Sequence, residues 1–133
     1  MIAPVGGLGL KTIYQSTVTE VGNDIDMFLE EKMLIIFNDS APEDLRDIAV
    51  IHDIAPLEGK IEVGDELAFD DQTYKITFVG AKVNETMEEF GHCTITFNGE
   101  NHADLPGILC VEAKGTPNVS ISTTITFKKA EEA

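Results

Sequence analysis

Apolar and polar residues alternate with a period of two along "TYKITFV", residues 73–79, and again along "HCTITFNG", residues 92–99. That period belongs to a strand with one buried face, because successive side chains leave the backbone on opposite sides. In the first string Tyr74, Ile76 and Phe78 oppose Lys75, Thr77 and Val79; in the second Cys93, Ile95 and Phe97 oppose His92, Thr94 and Thr96. Sheet-forming composition recurs in "KTIYQSTVTEV", "KMLIIFN", "GILCVEA" and "ISTTITFK". The segment "DELAFDDQTYKITFVG" divides into two strands around Asp70 and Asp71. Helical signals are short by comparison. "NDIDMFLEE" offers Asn23 or Asp24 as N-cap with Ile25, Phe28 and Leu29 at helical spacing. "SAPEDLRDI" places Ser40 before Pro42 and two acids, and "NETMEEF" runs into Gly91 as a stop. This pattern predicts a mainly β fold: a closed or nearly closed β-barrel of about seven or eight strands with one to three short helices, since closure removes exposed edges.

A chain of 133 residues suits one domain with a real core. The expected organisation is a flexible leader over residues 1–10, a single barrel domain over 11–128 and a loose tail over 129–133. The glycines of "GGLG" are not a phosphate loop, because no strand precedes them and no Gly-Lys-Ser/Thr follows. The N-terminus lacks the basic and apolar regions of a signal peptide, and no apolar run is long enough for a membrane span. The cytoplasm is the expected compartment. Cys93 and Cys110 form no C-x-x-C and are expected as small buried hydrophobes.

Charge narrows the function classes. Twenty-four acidic residues against nine basic ones give a net charge of −15, and Arg46 is the single arginine. Such a field repels nucleic acid and anionic lipid alike, and it favours a basic protein partner through steering that salt weakens.

The chemistry centres on "AVIHDI", residues 49–54, where His52 stands among Val50, Ile51 and Ile54. A strand over residues 48–54 would put Ile48, Val50, His52 and Ile54 on one face and Ala49, Ile51 and Asp53 on the other. Asp53 would then point away from the imidazole. Two readings stand here: a neutral core histidine satisfied by a carbonyl, or a nucleophile at a strand end just before Pro56. An imidazole near neutral pH keeps one ring nitrogen free to take a proton, a metal or a phosphoryl group. Apolar surroundings lower its pKa and keep water off a labile adduct. His92 lies on the polar face of its strand and His102 in a turn-rich loop, both surface residues by default. With histidines at 52, 92 and 102, no H-x-H and no paired cysteine, neither a metal site nor a cofactor is expected. No G-x-S-x-G supports a serine hydrolase, and the carboxylates are too numerous to mark a glycosidase pair.

The ordered strings "SAPEDLRDIAVIHDIAPLEGKIEVGDEL", "YKITFVG", "EEFGHCTITFNGEN" and "ADLPG" resemble the glucitol/sorbitol-specific enzyme IIA component of the bacterial phosphotransferase system. The likeness runs from about Thr12 to Lys128, with "AP-x-DL" leading into "IH" and "GH-x-T" leading into "F-x-G" as its most specific parts; residues 1–10 lie outside it. The resemblance implies a small β-barrel that accepts a phosphoryl group from phospho-HPr and passes it to the IIB component of a sugar permease. It makes His52, in the "IH" motif, the phosphorylated residue, and carries over His92, in the "GH-x-T" motif, as a supporting neighbour. The rivals are a non-catalytic barrel that binds a small ligand or a protein, and a metal-dependent barrel enzyme.

Overall fold

The computed structural model describes residues 10–130. The strands are β1 (Leu10–Val21), β2 (Met33–Asn38), β3 (Val50–His52), β4 (Glu66–Phe69), β5 (Gln72–Val79), β6 (Cys93–Thr96), β7 (Ile108–Val111) and β8 (Thr124–Ala130). Between them lie α1 (Ile25–Glu30), a 3-10 helix over Glu43–Ile48, and α2 (Val83–Phe90). The eight strands close into one barrel in the order β1-β3-β2-β6-β7-β5-β4-β8. The expected mainly β barrel is therefore the fold observed. β1 begins at Leu10 and β8 runs through Ala130; the rest of the expected leader and tail lies outside the described residues.

Two long strands close the barrel by changing partner along their length. β1 pairs antiparallel with β8 from Leu10 to Thr17, and with β3 from Val18 to Val21. β5 pairs with β4 through Gln72–Lys75, and with β7 through Ile76–Val79. A register shift between Thr12 and Tyr14 breaks the alternation of β1, so that the consecutive Ile13 and Tyr14 are both buried. The alternation expected in β6 holds, with Cys93 and Ile95 inward and Thr94 and Thr96 half-buried. Leu34, Ile36, Leu67, Phe69, Ile76, Ile95 and Phe127 fill the interior. Both cysteines are buried free thiols, and burial pushes the Cys93 thiol up to about 12.

The segment before His52 departs from expectation. The strand is confined to Val50–His52 rather than spanning 48–54, because Ile48 ends the 3-10 helix. Ser40 does not cap that helix: its N–H and hydroxyl both donate to Asn38 Oδ1, at 2.9 and 2.6 Å. Arg46 ties the crossover down, donating to the carbonyls of Asp39 (2.7 Å) and Ala41 (3.2 Å) and pairing with Glu20 (2.8 Å). β3 thereby lies parallel to β2, with His52 opposite Asn38, and antiparallel to β1, with His52 opposite Val18.

Asp65 pins the end of β8. Its buried carboxylate accepts from Glu62 N–H (2.7 Å), Ala130 N–H (3.0 Å) and Lys129 Nζ (2.8 Å). Removing it strands two amides and takes one of three partners from the Lys129 ammonium, which keeps Glu62 and the Lys60 carbonyl. Asp65→Ala is expected to lower the unfolding free energy by about 2–3 kcal/mol in urea titration. Loss of the exposed Glu62 partner of the same lysine should cost less than about 1 kcal/mol.

Candidate functional site

His52 ends β3, and its ring is fully buried among three elements. Nδ1 faces Ser16 Oγ at 3.0 Å and the Asp53 carbonyl oxygen at 3.1 Å. Nε2 faces the Gly91 carbonyl oxygen at 2.8 Å. The Ser16 hydroxyl donates to the same Asp53 carbonyl, at 2.6 Å. That carbonyl is held in place, since the Asp53 N–H donates to Thr17 of β1 at 3.0 Å. Asp53 thus orients the ring through its backbone, which the sequence-based expectation of an outward side chain left open.

The neighbourhood is one proton short. Both carbonyls can only accept, whereas a neutral imidazole has a single N–H. With Ser16 donating to Asp53, the ring proton belongs on Nδ1, and the Nε2 lone pair then meets the lone pairs of Gly91. With the proton on Nε2, the Asp53 carbonyl meets the bare Nδ1 instead. A doubly protonated ring would satisfy every contact, but burial lowers the pKa of His52, and the opposing pull of the Gly91 and Asp53 carbonyls does not restore it. The ring is neutral at pH 7, and the tautomer decides which of the two carbonyls goes without a proton.

Gly91 belongs to a turn built for that position. It follows α2 in the left-handed region (φ 55°, ψ 35°), and its N–H donates to Met87 at 3.0 Å. The His92 N–H closes back on Thr86 at 3.2 Å, and the whole is a left-handed helix ending that glycine adopts without strain. A Cβ on Gly91 would lie 2.7 Å from His52 Cε1, 2.8 Å from Tyr14 Oη and 3.0 Å from Asn38 Cβ. The first part of α2 is anchored, with the Asn84 side chain accepting from Ile61 N–H (2.7 Å) and donating to the Ile61 carbonyl (3.0 Å). Its last residue, Phe90, is exposed, as is Ile54 beyond β3.

Tyr14 is the second buried ring of the site. It meets His52 edge to face at 6.0 Å, and Phe127 in the same manner on its other side. Burial, with a smaller contribution from nearby Cys93, pushes the phenol up to about 12. Among the described residues, Tyr14 Oη is the buried side-chain polar atom without a hydrogen-bond partner. Leaving such a hydroxyl unpaired costs about 1–3 kcal/mol.

His92 is half-buried rather than solvated: its ring stacks on Phe37 at 4.5 Å, and Nδ1 approaches the Ile36 carbonyl at 3.1 Å. It adjoins His52 through the Gly91–His92 peptide. His102 is exposed, beside Glu100. Sequence reasoning missed Tyr14, Ser16 and Gly91. The available signal was Ser16 itself, a hydroxyl at an inward position of β1 between Tyr14 and Val18.

A small closed β-barrel with a neutral imidazole buried at a strand end fits a phosphotransferase-system IIA component, and comparison with known proteins gives that class. A solved structure, the PTS system IIA component from Enterococcus faecalis V583, superposes with a TM-score of 0.72 at 30% identity, covering 84% of this chain and 96% of that one. The family model described as "PTS system glucitol/sorbitol-specific IIA component" matches residues 13–126. The glucitol/sorbitol-specific EIIA components of Shigella flexneri and Escherichia coli (strain K12) are each 30% identical over 123 residues, 92% of this chain and all of theirs. The chain belongs to the glucitol/sorbitol-specific IIA family. It is a phosphotransferase component, of a kind that works with HPr and IIB proteins. No described helix is long and apolar enough to cross a membrane.

The lowered pKa of His52 sets a pH signature. The native ring holds its proton less tightly than the unfolded chain, whose histidine titrates near 6.5. As pH falls through that value the unfolded state binds more protons, so stability declines. The wild-type unfolding free energy, relative to His52→Gln, should fall between about pH 7.5 and about pH 5.5. A constant difference would mean that the ring titrates alike in the folded and unfolded states.

Proposed function

We propose that His52 is the phosphoryl carrier, accepting the group on Nε2 from phospho-HPr and passing it to the IIB component of a glucitol/sorbitol permease. The observation that carries this reading is the asymmetry of the two ring nitrogens. Nδ1 is held by β1 and by the chain's own Asp53 carbonyl, inside the barrel wall. Nε2 is covered by one carbonyl, on the glycine that follows a short helix.

The conformation described is the closed one. With the ring fully buried, the Gly91 carbonyl occupies the line along which a donor's phosphorus must approach. Opening requires a rotation of the Gly91–His92 peptide, which turns ψ of Gly91 together with φ of His92 and breaks the His92 N–H bond to Thr86. Repulsion between the Nε2 lone pair and the carbonyl favours that rotation once Nδ1 holds the proton. Such a rotation also carries the His92 N–H toward the place the carbonyl leaves, replacing an acceptor with a donor suited to a phosphoryl oxygen.

The transfer then balances simply. The Nε2 lone pair forms the new N–P bond, and the donor's P–N bond breaks with its electron pair returning to the donor imidazole. His52 keeps its Nδ1 proton, so the phosphorylated ring gains positive charge, which the Asp53 carbonyl and Ser16 oxygen stabilise. Exchange between two imidazoles is close to balanced, and positioning is the chief demand on the protein. The net charge of −15 draws a basic carrier and leaves the carrier's positive face to offset phosphoryl charge. His92 acts as a supporting residue: its stacked, hydrogen-bonded ring steadies the peptide that covers Nε2.

Incubation with phosphoenolpyruvate, enzyme I and HPr should give an acid-labile phosphoryl adduct on the wild type and none on His52→Gln. An equal adduct on the variant would move the site elsewhere. Gly91→Ala should reduce phosphorylation at least about tenfold and lower the melting temperature, because the new Cβ meets His52 and Tyr14 and is strained at positive φ. His92→Ala should retain phosphorylation but slow transfer to IIB, and wild-type transfer would remove it from the machinery.

A further inference from the structure

The proposed carrier nitrogen has no built-in donor for phosphoryl oxygens in the closed state. Arg46 is engaged by Glu20 and Asp39 on the far side of the crossover, and Lys82, Lys114 and Lys129 each pair with carboxylates. The groups on the His52 ring nitrogens are two carbonyls and one hydroxyl, and that hydroxyl lies at Nδ1. A charged phosphoryl group arriving on Nε2 needs donors that the hydrogen-bonded groups of the ring do not supply.

Tyr14 supplies one. The residue is 1% exposed, and its hydroxyl is the buried orphan among the described residues. Buried polar groups are almost always paired, so an unpaired one beside a reactive nitrogen points to a partner that comes and goes. Its position is specific. Tyr14 Oη and His52 Cε1, the ring carbon bonded to Nε2, lie 2.8 and 2.7 Å from one shared point, the place of a Cβ on Gly91. The space between phenol and imidazole is thus the space lined by the Gly91 backbone. When that backbone withdraws, the same volume opens to both Nε2 and the hydroxyl. The phenol ring is held for this between His52 and Phe127, so the oxygen cannot swing away to find another partner.

We propose that Tyr14 is a further catalytic residue, donating its O–H to an oxygen of the phosphoryl group on His52 Nε2 during transfer. The proposal rests on the assignment of His52 as carrier. The phenolic proton stays on oxygen throughout: the buried hydroxyl resists ionisation, and it acts as a donor rather than as an acid or nucleophile. Before transfer the hydroxyl is unpaired; with the phosphoryl group in place it is satisfied. The hydrogen bond therefore exists only with the phosphoryl group present, the condition under which binding energy accelerates a step.

Tyr14→Phe keeps the ring and removes only the oxygen. With phosphoenolpyruvate, enzyme I and HPr, the variant should still label His52, but about 10- to 100-fold more slowly, and its phosphohistidine should hydrolyse faster. The unphosphorylated variant should melt at the wild-type temperature or above, since it loses an unpaired polar atom. A merely structural tyrosine would give the reverse: a lower melting temperature with wild-type phosphorylation and hydrolysis rates. Those rates at wild-type values, with label still confined to His52, overturn this proposal alone. Label that persists in His52→Gln overturns the carrier assignment and this proposal with it.

Discussion

The structure depends on β1 having two partners. Its first part closes the barrel against β8 and its second part carries β3, so one strand completes the ladder and delivers the histidine. β1 breaks its alternation in both pairings, between Val18 and Glu20 against β3 and between Thr12 and Tyr14 against β8. The latter break lets Ile13 enter the core without displacing Tyr14, and leaves Tyr14, Ser16 and Val18 facing inward along the line that meets His52. Barrel closure and site assembly are one event.

From that constraint follows an unusual electrostatic balance. The imidazole is taken out of water, which favours its neutral form, yet it is surrounded by oxygen atoms that would each welcome a proton. The shortage falls on either nitrogen. Ser16 and Asp53 belong to the hydrogen-bonded wall, whereas Gly91 stands at the end of a helix of eight residues with an exposed terminal Phe90. Core packing on Met87 and Val83 and the Asn84 clamp on Ile61 secure that helix, and Thr86 ties its end to His92.

The surface has a complementary role. An acidic chain is poorly suited to hold a phosphoryl dianion by itself and well suited to attract a basic donor. The only arginine stabilises the crossover that makes β2 and β3 parallel, a structural use of the strongest cation available.

The period-two alternation of β5 and β6, the turn at Asp70 and Asp71 and the stop at Gly91 are local properties, so the sequence alone determined a mainly β chain with short helices. The imidazole among apolar residues and the ordered motifs around it likewise mark His52 as the candidate carrier. Three features were decided only in three dimensions. The strand at His52 is short because the preceding residues pack as a 3-10 turn around Arg46, a tertiary contact that overrides strand propensity. Asp53 acts through its carbonyl because β1 pairs with it. Tyr14 and Ser16 join the site from 38 and 36 positions away in the chain from His52, Ser16 by a direct hydrogen bond. Pairing between remote strands is set by barrel closure and packing of the whole core, and no local pattern in β1 carries its register against β3.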